Sequence, residues 1–240
     1  MQSPRQLRIT TLWLLAATAC TTACRTPPIQ IRGLDGGGPV RPASAVDASD
    51  LLPKSDAVRS FQITEDSGAG STCKLIVEPN RPGWLATLSG INRVQLSLRE
   101  DGAVVAMFEE ELSSLVRVFY DPPVVILPSR LVMGRPVAGE STAEVRNVED
   151  NSLRARGRCH YHIELIGRQM VPTPAGDFDA YLVRTQRMID LGMTRAKIKW
   201  LGAYARGRGQ IAQRLTKQVR MMELFTTEVT REIRLSPHSE

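Results

Sequence analysis

From Leu153 to Ile166 the chain alternates with a period of two. Leu153, Ala155, Gly157, Cys159, Tyr161, Ile163 and Leu165 fall on one side; Arg154, Arg156, Arg158, His160, His162 and Glu164 fall on the other. Successive side chains of a strand point to opposite faces, so the pattern predicts a long antiparallel strand with one buried and one wet face. Shorter runs of the same kind follow Leu51, at 58–63, 73–77, 83–88, 91–99, 103–108, 115–120, 143–148, 178–189, 195–200, 209–215 and 219–235. Glu100-Asp101-Gly102 is a hairpin turn signal. Pro122, Pro123 and Pro128 bracket the apolar run between them and demote it to an edge strand or a packing loop, because proline has no N–H to give to a ladder. Single helical turns fit at 109–114 and around Met221 to Phe225, but no segment carries a sustained helical stripe. The expectation is an all-β domain, an antiparallel meander forming a sandwich or a curved half-barrel.

The N-terminus is of another kind. Arg5 and Arg8 precede a short apolar run from Ile9 to Ala17. That is too short for the ~20 apolar residues of a membrane-spanning helix and has the length of a secretory signal. The run ends in Ala17-Thr18-Ala19-Cys20, which resembles the lipobox of bacterial lipoproteins, where small residues precede a cysteine that is acylated and becomes the new N-terminus. That family prefers leucine where Ala17 stands. The resemblance implies a signal peptide over 1–19, lipidation at Cys20 with palmitate among the acyl chains, and a lipid-anchored place in the bacterial envelope facing the periplasm. Thr21, a non-Asp residue after the cysteine, resembles the class sent to the outer rather than the inner membrane. Cys24 is a second choice, and an ordinary cleaved signal would leave both cysteines unmodified. Residues 20–50 carry Pro27, Pro28, Gly33, Gly36, Gly37, Gly38, Pro39 and Pro42, a composition that predicts a flexible linker. The domain is expected over 51–235, with a tail at 236–240.

A second resemblance lies in the middle of the domain. The segment from Val171 to Ala180, VPTPAGDFDA, is similar to the VPAG-x-F-x-A turn of a family of uncharacterised bacterial periplasmic β-proteins. Leu127-Pro128 and Gly134 before it, and Trp200 and Gly209-Gln210-Ile211 after it, resemble that family's flanking segments, over roughly residues 120–215. Members distantly resemble the lipoprotein-localisation carriers LolA and LolB, which implies a curved sheet and, by analogy, acyl chains held in its concavity. The residues also explain themselves as a turn: Pro172 and Pro174 restrict the backbone, Gly176 can take a positive φ, and Phe178 anchors the returning strand.

Charge is spread unevenly. The net charge is +6, yet residues 51–150 hold 10 Lys/Arg against 14 Asp/Glu, and residues 151–240 hold 16 against 8. Strand parity places Arg154, Arg156 and Arg158 on one face, Arg195, Lys197 and Lys199 on one face, and Arg206 and Arg208 with Arg214 on a third. Neighbouring strands would merge these into a basic field for phospholipid head groups, lipopolysaccharide phosphates or a wall polymer; otherwise they form a solvated face that keeps the sheet unpaired. Export and an aromatic content of 5% argue against nucleic acid, since a stacking platform is missing.

Cys73 and Cys159 both share parity with apolar neighbours and point inward, where they form either a disulfide or two buried thiols. His160 and His162 with Glu164 could hold a metal, but nothing nearby in sequence completes a shell, so a surface pair is expected and no metal or other cofactor. No nucleophile elbow or phosphate loop is present, and Glu109-Glu110-Glu111 reads as a solvated run. No catalytic residue is assigned and no enzyme is expected. The expected function is a membrane-anchored envelope protein with a non-enzymatic binding domain for an apolar or anionic envelope ligand. Alternatives are an assembly subunit docking another envelope protein and a hydrolase with an unrecognised site. The partners are the membrane through the lipid anchor and a lipid or envelope protein, without nucleic acid.

Overall fold

Strand follows strand along the chain because Val, Ile, Thr and aromatic residues alternate with polar ones, and Gly, Asp and Asn punctuate them. The computed structural model describes residues 34, 36–53, 58–65, 70–81, 83–222 and 224–237. The signal segment, Cys20 and Cys24 lie outside them. A short strand, β1 (Ala45–Asp47), and a single helical turn, α1 (Ala48–Leu51), come first. Then come β2 (Arg59–Glu65), β3 (Gly70–Pro79), β4 (Trp84–Leu88), β5 (Asn92–Leu98), β6 (Val104–Glu111) and β7 (Val116–Leu127). A three-residue strand, β8 (Arg130–Val132), pairs with β1. Next are β9 (Val137–Asn147), β10 (Leu153–Thr173), β11 (Gly176–Asp190), β12 (Thr194–Ala205), β13 (Gly209–Met221) and β14 (Phe225–Leu235).

The meander closes completely. Each of the twelve long strands pairs antiparallel with its neighbours in the order β10-β11-β12-β13-β14-β2-β3-β4-β5-β6-β7-β9, and β9 returns to β10. The seam joins the last strand to the first of the ring, with Ile233 opposite Ile63 and Leu235 opposite Phe61. A closed sheet leaves no row of unpaired backbone groups along its length, which is the advantage over an open half-barrel.

The structure changes several local expectations. Pro122 and Pro123 lie inside β7, which is not an edge: its pairing with β6 skips from Phe119 to Val124, and its pairing with β9 ends at Asp121. Neither proline is therefore asked for a ladder N–H. Residues 109–111 continue β6 as strand, and between Met221 and Phe225, the end of β13 and the start of β14, Met222 and Leu224 are turn residues. The VPTPAGDF segment is the β10–β11 turn, as its residues imply: Thr173 Oγ1 accepts the Ala175 N–H at 3.2 Å and donates to the Gly176 carbonyl at 2.9 Å, with Gly176 at φ +119°. Phe178 packs against the buried cluster of Phe61, Leu182 and Leu235.

The folded unit also reaches back to Leu34, so residues counted as linker by composition belong to the domain. Leu34, Val46, Ala48 and Leu51 are buried. Val46, Ala48 and Leu51 join Val104, Leu127, Leu131, Tyr181, Val183 and Tyr204 in one core cluster. The glycines here serve close approach rather than flexibility. Gly38 donates its N–H to the Met170 carbonyl at 3.2 Å, and a Cβ on Gly37 would come 2.4 Å from the Gln169 amide. A ring of twelve strands would otherwise leave a lumen, since about eight strands already make an interior that side chains just fill.

Cys73 and Cys159 are free thiols and form no disulfide. They lie on β3 and β10, directly opposite each other in the ring, and in different core clusters. Burial pushes each thiol up to about 11, which suppresses the reactive thiolate. Alkylation of the unreduced protein should therefore leave both untouched in the native state and modify both after unfolding. A mass gain that appears only after reduction would show a bridge instead.

Candidate functional site

The predicted basic residues divide between two ends of the fold. Along the outer face of β10–β13, register partners run His160–Met188–Lys197–Gln218 in one row and His162–Gln186–Lys199–Thr216 in the next. Arg158, Asp190, Arg195 and Arg220 make the row above. Arg156, Arg158, Arg195, Lys197 and Lys199 are thus brought onto one wall, through β11 lying between β10 and β12; Arg154 is exposed at the register shift between Leu153 and Ala155, short of the pairing with β11. Carboxylates interleave them: Arg156 meets Glu144 and Arg158 meets Glu140, both at 3.3 Å, and Arg195 meets Asp190 at 2.7 Å. The Arg195 hydrogen bond holds the Asp190 carboxyl below its usual range. Arg154, Lys197 and Lys199 are exposed and have no ion pair among the described residues.

Arg206 and Arg208 are elsewhere, in the β12–β13 turn at the opposite end of β12. Arg206 faces Asp50 at 3.6 Å and lies over the Tyr181 ring; Arg208 lies over Phe178. Parity could not separate them from the wall, because the turn begins before the alternation ends. His160 and His162 share the outer face, with His160 Nδ1 3.5 Å from Glu140 and Glu164 engaged by Arg184 at 2.8 Å. Among the described residues no group of three candidate metal ligands is present.

The interior holds a site that the sequence reading missed. Glu109 and Glu111 on β6 point into the ring, where Glu109 is largely buried and Glu111 still meets solvent. Glu109 pairs with Arg187 of β11, whose side chain is 1% exposed, and also accepts the Tyr120 hydroxyl at 3.3 Å. Arg187 lies 4.6 Å from the Trp200 ring centroid and 5.8 Å from that of Tyr120. Burial alone would weaken the guanidinium charge, but the neighbouring Glu109 charge holds its pKa above the ordinary value. Burial, with Glu109 beside it, pushes the Tyr120 hydroxyl well up. Glu111 reaches Lys217 Nζ at 2.7 Å on β13, directly across the ring. Burial would raise the Glu111 carboxyl, but the Lys217 contact and Ser114 hold it below the usual range. Glu110, between them, faces outward and is nevertheless buried, held by Arg117 at 2.8 Å and Arg93 at 3.6 Å. Ion pairs from β6 to β11 and to β13 mean that the barrel is flattened here, with facing walls in side-chain contact.

The outer wall also bears a cleft of about 440 Å³ lined by Asn80, Gln95, Phe108, Phe119, Glu144 and Arg156 among others. Its two phenylalanine rings lie 5.6 Å apart, and Arg117 stacks 4.9 Å from the Phe108 centroid. Arg156 belongs to both the cleft and the basic wall.

No family model and no curated protein matches the chain. Two crystal structures align with it. A candidate lipoprotein of Parabacteroides distasonis shares 11% identity at a TM-score of 0.37, covering 77% of this chain and 96% of that one. The hypothetical lipoprotein YmcC of Escherichia coli shares 9% identity at a TM-score of 0.35, covering 78% and 86%.

Proposed function

We propose that the chain is a bacterial envelope lipoprotein, acylated at Cys20, whose domain is a non-enzymatic binding module that works from the outside of the barrel. Its ligand is an anionic envelope surface. The observation that carries this is the pair of exposed lysines, Lys197 and Lys199, on a wall that also holds Arg156 and Arg158. Near an anionic membrane each such cation is worth ~1 kcal/mol. The interior supports the same choice. An acyl chain placed there would have to displace or desolvate the Glu109–Arg187 and Glu111–Lys217 pairs, at a cost that apolar contact does not repay. No helix among the described residues is long and apolar enough to cross a membrane. A spanning barrel would need an outward apolar band, whereas this wall presents Arg158, His160, His162, Lys197 and Lys199.

The test uses the mature chain from Thr21 onward, made without acylation. It should sediment with vesicles of phosphatidylglycerol and phosphatidylethanolamine, not with phosphatidylcholine vesicles, and the binding should vanish at ~1 M salt, where the screening length falls to ~3 Å. Absence of binding at low salt, or binding indifferent to salt, would overturn the proposal.

A further inference from the structure

At one end of the barrel, β11 turns into β12 and β13 turns into β14 side by side. These two turns carry Met193, Met221, Met222, Leu224 and Phe225, all exposed. Met193 is 74% exposed, Leu224 78% and Phe225 65%. The turns are tied to each other: the Met222 N–H donates to the Met193 carbonyl at 2.7 Å, and Thr194 is the register partner of Met221. The five side chains therefore sit on one joined element. β14 is exposed from Phe225 to Val229, and among the described residues its pairing with β2 starts at Arg231.

A cluster of large apolar side chains in water marks a surface that meets something. The shape and the charge decide what. Hairpin tips are convex and narrow. They suit entry into a soft medium and offer little area to a protein partner, which needs several hundred Å² a side. Methionine, leucine and phenylalanine are residues that enter the boundary between head groups and acyl chains. Directly behind the tips stand Arg195 and its register partner Arg220, then Lys197 and Lys199 along the outer face. On β11 to β14 the acidic groups nearest this end are Asp190, taken by Arg195, and Glu228, which accepts from Gln218 Nε2 at 3.4 Å; on β9, Glu140 is taken by Arg158 and His160, and Glu223 lies outside the described residues.

We propose that the two turns are a lipid-insertion tip. Met193, Leu224 and Phe225 enter the interface of an anionic bilayer, while Lys197 and Lys199 pair with lipid phosphates behind them. This rests on the proposed anionic surface and names it: a bilayer, met tip first.

The unacylated mature chain serves again. In Phe225→Trp, the emission difference from the parent (which keeps Trp84 and Trp200) should shift to the blue on anionic vesicles and be quenched by lipids brominated on the acyl chain. The triple variant Met193→Ser, Leu224→Ser, Phe225→Ser loses no buried contact and should unfold at the parent's temperature. Its vesicle partition should fall about tenfold or more, the scale of withdrawing a large apolar side chain from burial. Lys197→Glu with Lys199→Glu should lower partition and its salt dependence together. If the parent binds and the triple variant binds equally well, the tip is not the contact and only this inference fails. If the parent does not bind at all, the proposed surface fails with it. A blue shift of Phe225→Trp that grows with protein concentration without vesicles would mean that a second copy covers the tip, and would also overturn the inference.

Discussion

Replacing Glu109 by Ala should cost the domain about 3–5 kcal/mol, the penalty of leaving one member of a buried ion pair without its partner. Against a total stability of order 5–15 kcal/mol, that is a melting temperature lowered by on the order of 10 °C for a domain this size. The two members are not equivalent. Arg187 is 1% exposed at its side chain and Glu109 is 24% exposed. Removing Glu109 strands a guanidinium between Trp200 and Tyr120, and its Nε already has no hydrogen-bond partner. Removing Arg187 as Arg187→Met keeps most of the volume and leaves a carboxylate that still touches water and the Tyr120 hydroxyl. Glu109→Ala should therefore be the worse variant, and Glu109→Ala with Arg187→Met should recover most of the loss. By contrast Lys217→Met should change stability by about 1 kcal/mol or less, because both Lys217 and Glu111 are solvated. Thermal or urea unfolding of the four variants measures this. Equal effects of Glu109→Ala and Lys217→Met would mean that the Glu109 pair does not join the facing walls.

The alternation that announces the strands is a local property, and it carries through. Each run expected as strand overlaps a strand, although the 219–235 run is broken by the turn between β13 and β14, and Arg156, Arg158, Arg195, Lys197 and Lys199 of β10 and β12 face outward as parity requires. Closure depends on partners far apart in sequence. Nothing in the Ile63 neighbourhood says that Ile233 will lie opposite it. The interior pair shows both the strength and the blind spot of parity. Arg187 has the parity of Val183 and Ile189, so its inward direction was legible, but a charged residue on a buried face is easily set aside. Glu109 and Glu111 were not legible. The register shift between Ala106 and Phe108 moves them to the inner face, so a count from Val104 places them outside. The segment ending at Leu51 failed for a compositional reason. Glycine and proline read as linker, whereas Gly37 and Gly38 let the chain lie against β10.

Replacing Cys20 by Ser should move nearly all of the protein from the membrane fraction to the soluble one and abolish palmitate labelling. Acylation contributes ~0.8 kcal/mol for each buried methylene; one chain alone binds only marginally, while several hold firmly. On the proposed reading the wall and the tip would supply a second, weaker attachment with a different character, since contacts of Lys197 and Lys199 with phosphates would be screened by salt. The residual membrane-bound fraction of Cys20→Ser should accordingly wash off at ~1 M salt, and the acylated protein should not. The two attachments also depend on each other. An anchored domain meets the bilayer at an effective concentration in the millimolar range, so surface contacts too weak to recruit a free domain still fix how an anchored one lies. Acylated protein with the Met193, Leu224 and Phe225 serines should therefore stay in the membrane fraction yet become more open to protease at the 190–194 and 221–225 turns. If Cys20→Ser remains in the membrane after a high-salt wash, the anchor lies at another residue, with Cys24 the first to replace.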